Sequence, residues 1–73
     1  MDNKFSARLS ELREKKGVTF PELSNETGIS VRALKYYVSE EREPSLTALL
    51  SIAKFFEVSI DYLVGMSDDP EIK

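Results

Sequence analysis

Three polar side chains that can form hydrogen bonds lie close together in the middle of the chain. Arg32, Lys35 and Tyr36 would share one face of a helix, since residues three and four apart are neighbours on a helix surface. Two cationic side chains and a phenol in this arrangement suit an anionic, acceptor-rich ligand such as nucleic acid. The same triplet also fits the solvated face of an amphipathic helix, because exposed charges are the norm. The triplet alone leaves both interpretations open.

Chemistry that depends on cysteine or histidine is excluded by composition. The 73 residues contain neither type, so there is no thiolate nucleophile, no disulfide and neither of the commonest transition-metal ligands. Asp68, Asp69 and Glu71 lie close together, but they lack the residue pattern of a calcium loop. We therefore expect no enzyme activity, no cofactor and no bound metal.

Length and composition indicate one small folded domain. A chain of 73 residues cannot support a second core, and 41% hydrophobic with 32% charged residues is typical of a folded cytoplasmic protein. We find neither a signal peptide nor a membrane span. The net charge of −3 opposes a nucleic-acid partner. However, residues 1–56 hold nine Lys and Arg against eight Asp and Glu, so the excess acidity belongs to the tail and a basic face remains possible.

Apolar spacing and helix-capping signals predict an all-α fold, a compact bundle of five short helices. Helix 1 covers about residues 5–16, where apolar residues recur at helical spacing. Thr19 and Glu22 form a capping box that starts helix 2 directly after Thr19. Gly28 permits a sharp turn, and the N-cap Ser30 then starts helix 3. Helices 2 and 3 are therefore placed as a helix-turn-helix.

Serine caps also start the last two predicted helices. Helix 4 follows Ser45, and helix 5 follows Ser59 and stops at Gly65. Helix 4 is the most apolar, and we expect one broad stripe of it to lie in the core, formed by Leu46, Leu49, Leu50, Ala53 and Phe56. Residues 1–66 are expected to form the domain, and residues 67–73 a flexible acidic tail.

A series of short motifs runs along residues 5–65 in a characteristic order. They are Leu12 to Thr19, Glu22-Leu23-Ser24, Gly28-Ile29-Ser30, Arg42 to Ser45, Leu49 to Lys54 and Val58 to Gly65. Each is weak alone, but together they resemble the lambda-repressor-like, Cro-type helix-turn-helix family. The resemblance implies a DNA-binding transcriptional regulator of phage, plasmid or bacterial repressor type. Such proteins are usually homodimers on palindromic double-stranded operators.

The same resemblance implies which residues contact DNA. Base contacts fall at the start of helix 3 and one turn later, on Ser30, Val31, Arg32, Lys35 and Tyr36. Arg32 can pair with guanine O6 and N7, and Val31 can pack on a thymine methyl group. Phosphate contacts fall on the starts of helices 2 and 4 and on the loop after helix 3, namely Phe20, Ser45, Leu46 and Arg42, with Arg13 as a further candidate.

Three positions depart from the family pattern. Phe20 stands where many members have a phosphate-binding Gln, and Glu40 stands where a loop glycine is usual. Val38 stands where many members have a Glu paired with the equivalent of Arg13. Arg13 then needs another carboxylate, solvent or DNA, since an unpaired buried charge is costly. Glutamates beside Arg42 would repel phosphates or pair with it, so a protein-interaction module with lost or weak DNA binding is the alternative function.

A homodimer is expected, because a single helix-turn-helix reads only a few base pairs. Helix 5 and its flanks offer more apolar surface than a small core needs. We expect the dimer interface there, on Ile60, Tyr62, Leu63, Val64 and Met66.

Overall fold

The computed structural model describes residues 4–71, which fold into five α-helices. They are α1 (Phe5–Lys16), α2 (Phe20–Thr27), α3 (Val31–Val38), α4 (Leu46–Phe56) and α5 (Ile60–Val64). The predicted all-α class is confirmed. Helix α1 packs against α3 and α5, while α4 packs against α2 and α5. None of the helices in this part of the chain has the length and apolar character needed to cross a membrane.

Side-chain caps fix where four of these helices begin. Thr19 Oγ1 accepts a hydrogen bond from the Glu22 amide at 3.2 Å, and Glu22 Oε1 accepts one from the Thr19 amide at 3.0 Å. This is the predicted capping box of α2. The hydroxyl groups of Ser30, Ser45 and Ser59 each accept from the amide three residues later, at 3.0 to 3.1 Å. The local capping signals in the sequence therefore operate as predicted.

The loop after α3 contains a glutamate in the left-handed region of backbone space. Glu40 has φ 64°, the conformation that glycine adopts without a steric penalty. The turn is closed by the amides of Glu40 and Glu41, which donate to the carbonyl oxygens of Tyr37 and Tyr36 at 3.3 and 2.9 Å. Glu40 thus adopts the type of backbone conformation that the usual glycine permits, at a cost in strain.

The core receives at least one side chain from every helix of the described chain. Its largest fully buried members are Phe5, Leu9, Leu23, Leu34, Ile52 and Leu63. The rings of Phe5 and Tyr37 meet edge to face with centroids 5.8 Å apart. This cluster joins α3 to α1 and so holds the helix-turn-helix on the rest of the domain.

The buried face of α4 differs from the predicted stripe. Ala48, Ile52 and Ala53 are buried, whereas Leu46 is 68% exposed and Leu50 is 51% exposed. The prediction placed both of these leucines in the core, and it was wrong. The face of α4 that packs against α2 and α5 is narrower than its apolar surface, so two leucines one turn apart remain uncovered.

The segment after α5 makes contacts with the rest of the domain. The Ser59 amide donates to the carbonyl oxygen of Pro70 at 2.9 Å. Arg8 Nη2 donates to Asp68 Oδ1 at 3.0 Å, in an ion pair between a buried arginine and an exposed aspartate. The expected free tail is therefore tied to the body at two points. The predicted boundaries remain predictions at both ends, because residues 1–3 and 72–73 lie outside the described residues.

Candidate nucleic-acid interface

The turn between α2 and α3 sets the position of the third helix. Gly28 has φ 75°, and a Cβ built on it would meet no atom within 4 Å. Glycine is therefore favoured there for its backbone conformation. Leu23 and Leu34 are fully buried between the helices, while Thr27 Oγ1 donates to the Leu23 carbonyl at 2.7 Å and accepts from the Ile29 amide at 3.3 Å. The turn is thereby held in one geometry, with one face of α3 in the core.

The N-cap and the first two turns of α3 contain all five predicted base-contact residues. These are Ser30, Val31, Arg32, Lys35 and Tyr36. Ser30, Arg32 and Lys35 are exposed, whereas Val31 and Tyr36 are partly buried. The Ser30 hydroxyl oxygen already accepts the cap hydrogen bond, so that side chain is less available than the others. Direct base contact stays a prediction for each residue of this set.

The ring of Tyr36 contacts two arginines, one on α3 and one in the loop that follows. Arg32 Nε donates to Tyr36 Oη at 3.1 Å, and the Arg32 Cζ atom lies 5.6 Å from the ring centroid. Arg42, in the loop after α3, has its Cζ atom 4.9 Å from the same centroid. Both distances fall within the range of cation–π attraction. The phenol ring therefore links the exposed face of α3 to the loop that follows it.

Phe20 forms a second aromatic contact point for cations, at the start of α2. Arg13 Cζ lies 4.5 Å and Lys35 Nζ lies 5.9 Å from its ring centroid. Arg13 Nη1 also donates to the Val18 carbonyl oxygen at 3.1 Å, while its Nε is buried without a hydrogen-bond partner. The predicted choices for Arg13 were a carboxylate, solvent or DNA. It instead contacts a carbonyl group and an aromatic ring of its own domain.

The two helix starts predicted to bind phosphate differ in charge. At α2, Glu22 puts a carboxylate in the first turn, and hydrogen bonding from the Thr19 backbone N–H holds its pKa below the usual value. The next residue after Phe20 is Pro21, which has no N–H to offer. At α4, Ser45 and Leu46 are exposed and the first turn contains no acidic residue. Because a helix start favours anions, α4 is the better phosphate site of the two.

Arg42 is an exposed cation in an acidic stretch of the chain. Glu41 and Glu43 flank it, and Glu40 precedes them. Among residues 4–71, Arg42 makes no ion pair with these glutamates, and its guanidinium instead contacts the Tyr36 ring. The alternative in which Arg42 is neutralised within its own loop is therefore not what the structure shows.

The predicted dimer interface contains one residue that is not available for it. Leu63 is fully buried in the core, so its assignment to the interface was wrong. Ile60, Tyr62 and Val64 are partly buried, and Met66 is 80% exposed. The apolar spacing of helix 5 could not separate these cases, because a five-residue helix presents its inner and outer faces within one turn.

A groove beside α5 contains an exposed leucine that sequence reasoning assigned to the core. Leu50 and Ile60 line it together with Ala53 and Val58, and its volume is about 630 Å³. The rim contains Asp61, Asp69, Glu71 and Lys54. The apolar surface near α5 therefore continues onto α4.

Arg8 is a buried arginine that the sequence pattern did not reveal. Its guanidinium lies 3.9 Å from the centroid of the Tyr62 ring and pairs with Asp68. Desolvation opposes the charge of Arg8, but Tyr62 and Asp68 outweigh it and raise the pKa of the guanidinium. The partner carboxylate is 60 residues away in the chain, so no local signal could identify the pair. Arg8 is occupied within the domain and is not a free cation for DNA.

The chain belongs to the helix-turn-helix family, whose model matches residues 9–63. The resemblance to its lambda-repressor-like, Cro-type members is confirmed. The chain is 37% identical over 59 residues to YopO of Bacillus subtilis, a prophage-derived uncharacterised HTH-type transcriptional regulator, covering 81% of this chain and 84% of the relative. It is also 37% identical over 62 residues to the cryptic phage CTXphi transcriptional repressor RstR of Vibrio cholerae, covering 85% and 55%.

Other relatives are longer than this chain. It matches the uncharacterised HTH-type regulator YobD of Bacillus subtilis at 33% identity over 69 residues, covering 94% of this chain but 62% of YobD. It covers 48% of ImmR of the same organism. The chain therefore spans about half to three fifths of the length of these relatives.

Solved structures share the arrangement of helices. A transcriptional regulator from Listeria innocua superposes with a TM-score of 0.79 at 30% identity, covering 88% of this chain and 60% of that one. The P22 c2 repressor in complex with a synthetic operator gives a TM-score of 0.78 at 28% identity, covering 82% and 91%.

Proposed function

We propose that this domain is the sequence-specific DNA-binding part of a transcriptional regulator of repressor type, and that α3 reads an operator in the major groove. The observation that carries this proposal is the grouping of cations around two aromatic rings of the helix-turn-helix, Phe20 and Tyr36. The cations are Arg13, Arg32, Lys35 and Arg42. The likeness to an operator-bound repressor supports the same role. We propose that the domain acts in the cytoplasm, where it would meet its DNA.

Base reading is assigned to the exposed face of α3. Arg32 pairs with guanine O6 and N7, the commonest specific contact in the major groove. Val31, at the first position of the helix, packs on a thymine methyl group. Lys35 and Ser30 reach neighbouring base edges, with Ser30 the weaker because its hydroxyl oxygen also caps the helix. Tyr36 belongs to this face through its contact with Arg32.

Phosphate contacts are assigned mainly to the start of α4 and to the loop before it. The Leu46 amide and the Ser45 residue at the start of α4 hold one phosphate, and Arg42 holds its neighbour. The Phe20 amide contributes less, because the Glu22 carboxylate lies in the same helical turn. Arg13 ranks last, since its guanidinium is already hydrogen-bonded to Val18 and packed on an aromatic ring.

The domain is proposed to bind a palindromic operator as a homodimer, with half-sites about one helical turn apart. The interface comprises the exposed apolar surface of α5 and its flanks, extended onto α4 by the groove. Its residues are Ile60, Tyr62, Val64 and Met66 from the sequence prediction, with Leu50 replacing the buried Leu63.

Selection from a randomised double-stranded oligonucleotide pool tests the proposal. The chain is incubated with the pool at low salt, and the retained DNA is sequenced over several rounds. Enrichment of a palindrome is the expected result. Sedimentation of the complex with that palindrome is expected to give two protein copies per duplex. One copy per duplex would contradict the dimer.

A protein-interaction module is the second candidate function. It is favoured by the carboxylate of Glu22 at the start of α2 and by the three glutamates around Arg42. This function predicts that no DNA is retained at low salt, so the same selection decides between the two.

A further inference from the structure

We infer that Tyr36 is a positioning residue, which orients Arg32 so that both of its terminal Nη atoms face a guanine, and that the phenol itself reads no base. This inference rests on the proposed DNA-binding function and goes beyond it. It assigns one base of the operator and the geometry with which that base is read.

The hydrogen bond between the two side chains limits how Arg32 can approach DNA. A guanidinium has five N–H groups, one on Nε and two on each Nη atom. The Nε donor is used, because it donates to Tyr36 Oη at 3.1 Å. The remaining N–H groups are those of the two Nη atoms. Arg32 therefore presents the end of its guanidinium to the O6 and N7 acceptors of guanine, and not its Nε edge.

The ring of Tyr36 has contacts besides the hydrogen bond to Arg32. Tyr36 is one turn after Arg32 on α3, and Arg42 approaches the ring from the loop. Tyr36 is partly buried. Its carbonyl oxygen and that of Tyr37 accept hydrogen bonds from the amides of Glu41 and Glu40, which fix the backbone that follows. A long arginine side chain loses rotamer freedom when it binds, so a fixed acceptor that orients it beforehand favours the bound state.

A direct base contact by Tyr36 is the competing interpretation. In that case the hydroxyl would leave Arg32 Nε in order to reach a base edge. The two interpretations differ in one measurable respect. A positioning residue loses its effect when Arg32 is absent, whereas a residue that contacts a base keeps its effect.

The experiment uses the selected palindrome and a copy in which 7-deazaguanine replaces the guanine read by Arg32. This analogue lacks the N7 acceptor but keeps O6. Binding of both duplexes is measured for wild type, Tyr36→Phe, Arg32→Ala and the double variant. Tyr37→Phe is the matched control, because it makes the same chemical change at the adjacent, core-facing position of α3. Thermal melts accompany each variant.

Tyr36→Phe is expected to reduce the discrimination between guanine and 7-deazaguanine by about two- to tenfold, the effect of one net hydrogen bond. The slope of affinity against salt is expected to stay as in wild type, since no phosphate contact is lost. In the Arg32→Ala background, Tyr36→Phe is expected to change the discrimination no further. Tyr37→Phe is expected to discriminate as wild type does.

Three results would overturn the inference while leaving the proposed function in place. The first is wild-type discrimination in Tyr36→Phe. The second is a loss that persists in the Arg32→Ala background. The third is an Arg32→Ala variant that changes preference at no guanine. Failure of the wild-type chain to retain any DNA would overturn the proposed function itself, and the inference with it.

Discussion

The guanidinium of Arg13 lies 4.5 Å from the centre of the Phe20 ring and donates from Nη1 to the Val18 carbonyl oxygen. Two departures from the family pattern meet at this contact. Val38 removes the carboxylate that usually pairs with the helix 1 arginine, and Phe20 supplies an aromatic face in place of a phosphate-binding amide. The contact joins α1 to the start of α2, so it contributes to the stability of the domain.

Arg13 and Phe20 are expected to be energetically coupled. Phe20→Leu keeps an apolar side chain but removes the aromatic face, and Arg13→Met keeps much of the length but removes the charge. We expect a coupling free energy of about 0.5–2 kcal/mol, as for a partly desolvated cation–π pair. Urea unfolding of wild type, both single variants and the double variant measures it. Additive effects would show that the ring does not stabilise the guanidinium.

Substitution of Arg32 and substitution of Arg42 are expected to impair DNA binding in different ways. Arg32→Ala should cost about 1–3 kcal/mol on the selected operator and relax preference at one base pair per half-site. Arg42→Ala should weaken binding to all sequences alike and reduce the salt slope by about one unit per protomer. Titrations on specific and unrelated duplexes at several salt concentrations separate these outcomes. Equal losses on both duplexes for Arg32→Ala would place the reading face elsewhere on α3.

The capping box is expected to stabilise the domain at neutral pH and to lose this effect at acid pH. The pKa of Glu22 lies below its usual 4.5 in the folded domain, because the Thr19 backbone N–H donates to the carboxylate. The stabilisation is thus fully present above the unfolded-state value and is lost as the pH falls through the lowered folded value. Glu22→Gln keeps an acceptor for the cap but does not titrate. Urea unfolding between pH 3 and 7 should show a shallower loss for this variant, and an unchanged profile would contradict the assignment.

Glu22→Gln is also expected to strengthen DNA binding. It removes a negative charge from the α2 start, where a phosphate is proposed to lie, so affinity for any duplex should rise about two- to fivefold at low ionic strength. Glu26→Gln is the matched control, because it removes the same charge from the other end of α2. Equal gains for both variants would mean that only net charge matters. No gain for Glu22→Gln would remove the α2 start from the phosphate contacts.

The strained loop residue offers a route to a more stable domain. Glu40 has a positive φ, so Glu40→Gly should stabilise the fold by about 0.5–1 kcal/mol. Glu40→Ala removes the same charge but keeps the Cβ atom, and it should give no comparable gain. Thermal melts of the two variants compare them directly. A similar rise in Tm for both would assign the effect to charge.

The helix starts were predictable from the sequence because the groups that form them are local. Thr19 and Glu22 each accept a hydrogen bond from the other's amide, and Ser30 accepts one from the amide three residues later. Such spacing can be recognised in the sequence. The outward position of Leu50 could not be read in this way, since it depends on where α2 and α5 pack against α4. The Arg8–Asp68 pair joins residues 60 positions apart, and its formation depends on the completed fold.

The candidate site also combines features that local sequence predicts with features that depend on the completed fold. Helical spacing predicted that Arg32, Lys35 and Tyr36 lie away from the buried side of α3, and Arg32 and Lys35 are exposed there. Their contact with bases stays a prediction. The contact of Arg42 with Tyr36 depends on the path of the loop after α3, which no local pattern encoded. Arg13 was an open question for the same reason, because its partner is a ring on a neighbouring helix.

The starts of α2 and α4 differ in charge, and this difference affects how binding energy is divided between backbone and base contacts. If the proposed contacts form, a domain that holds the DNA backbone at α4 but only weakly at α2 derives less affinity from contacts that every sequence provides than one that holds it at both helix starts. A larger share of its total binding energy must then come from the bases under α3. The acidic side chains near the site would weaken backbone contacts to operator and to random DNA alike, which leaves the ratio of the two affinities unchanged. Weak adhesion to DNA in general is thus compatible with a high ratio of specific to non-specific binding.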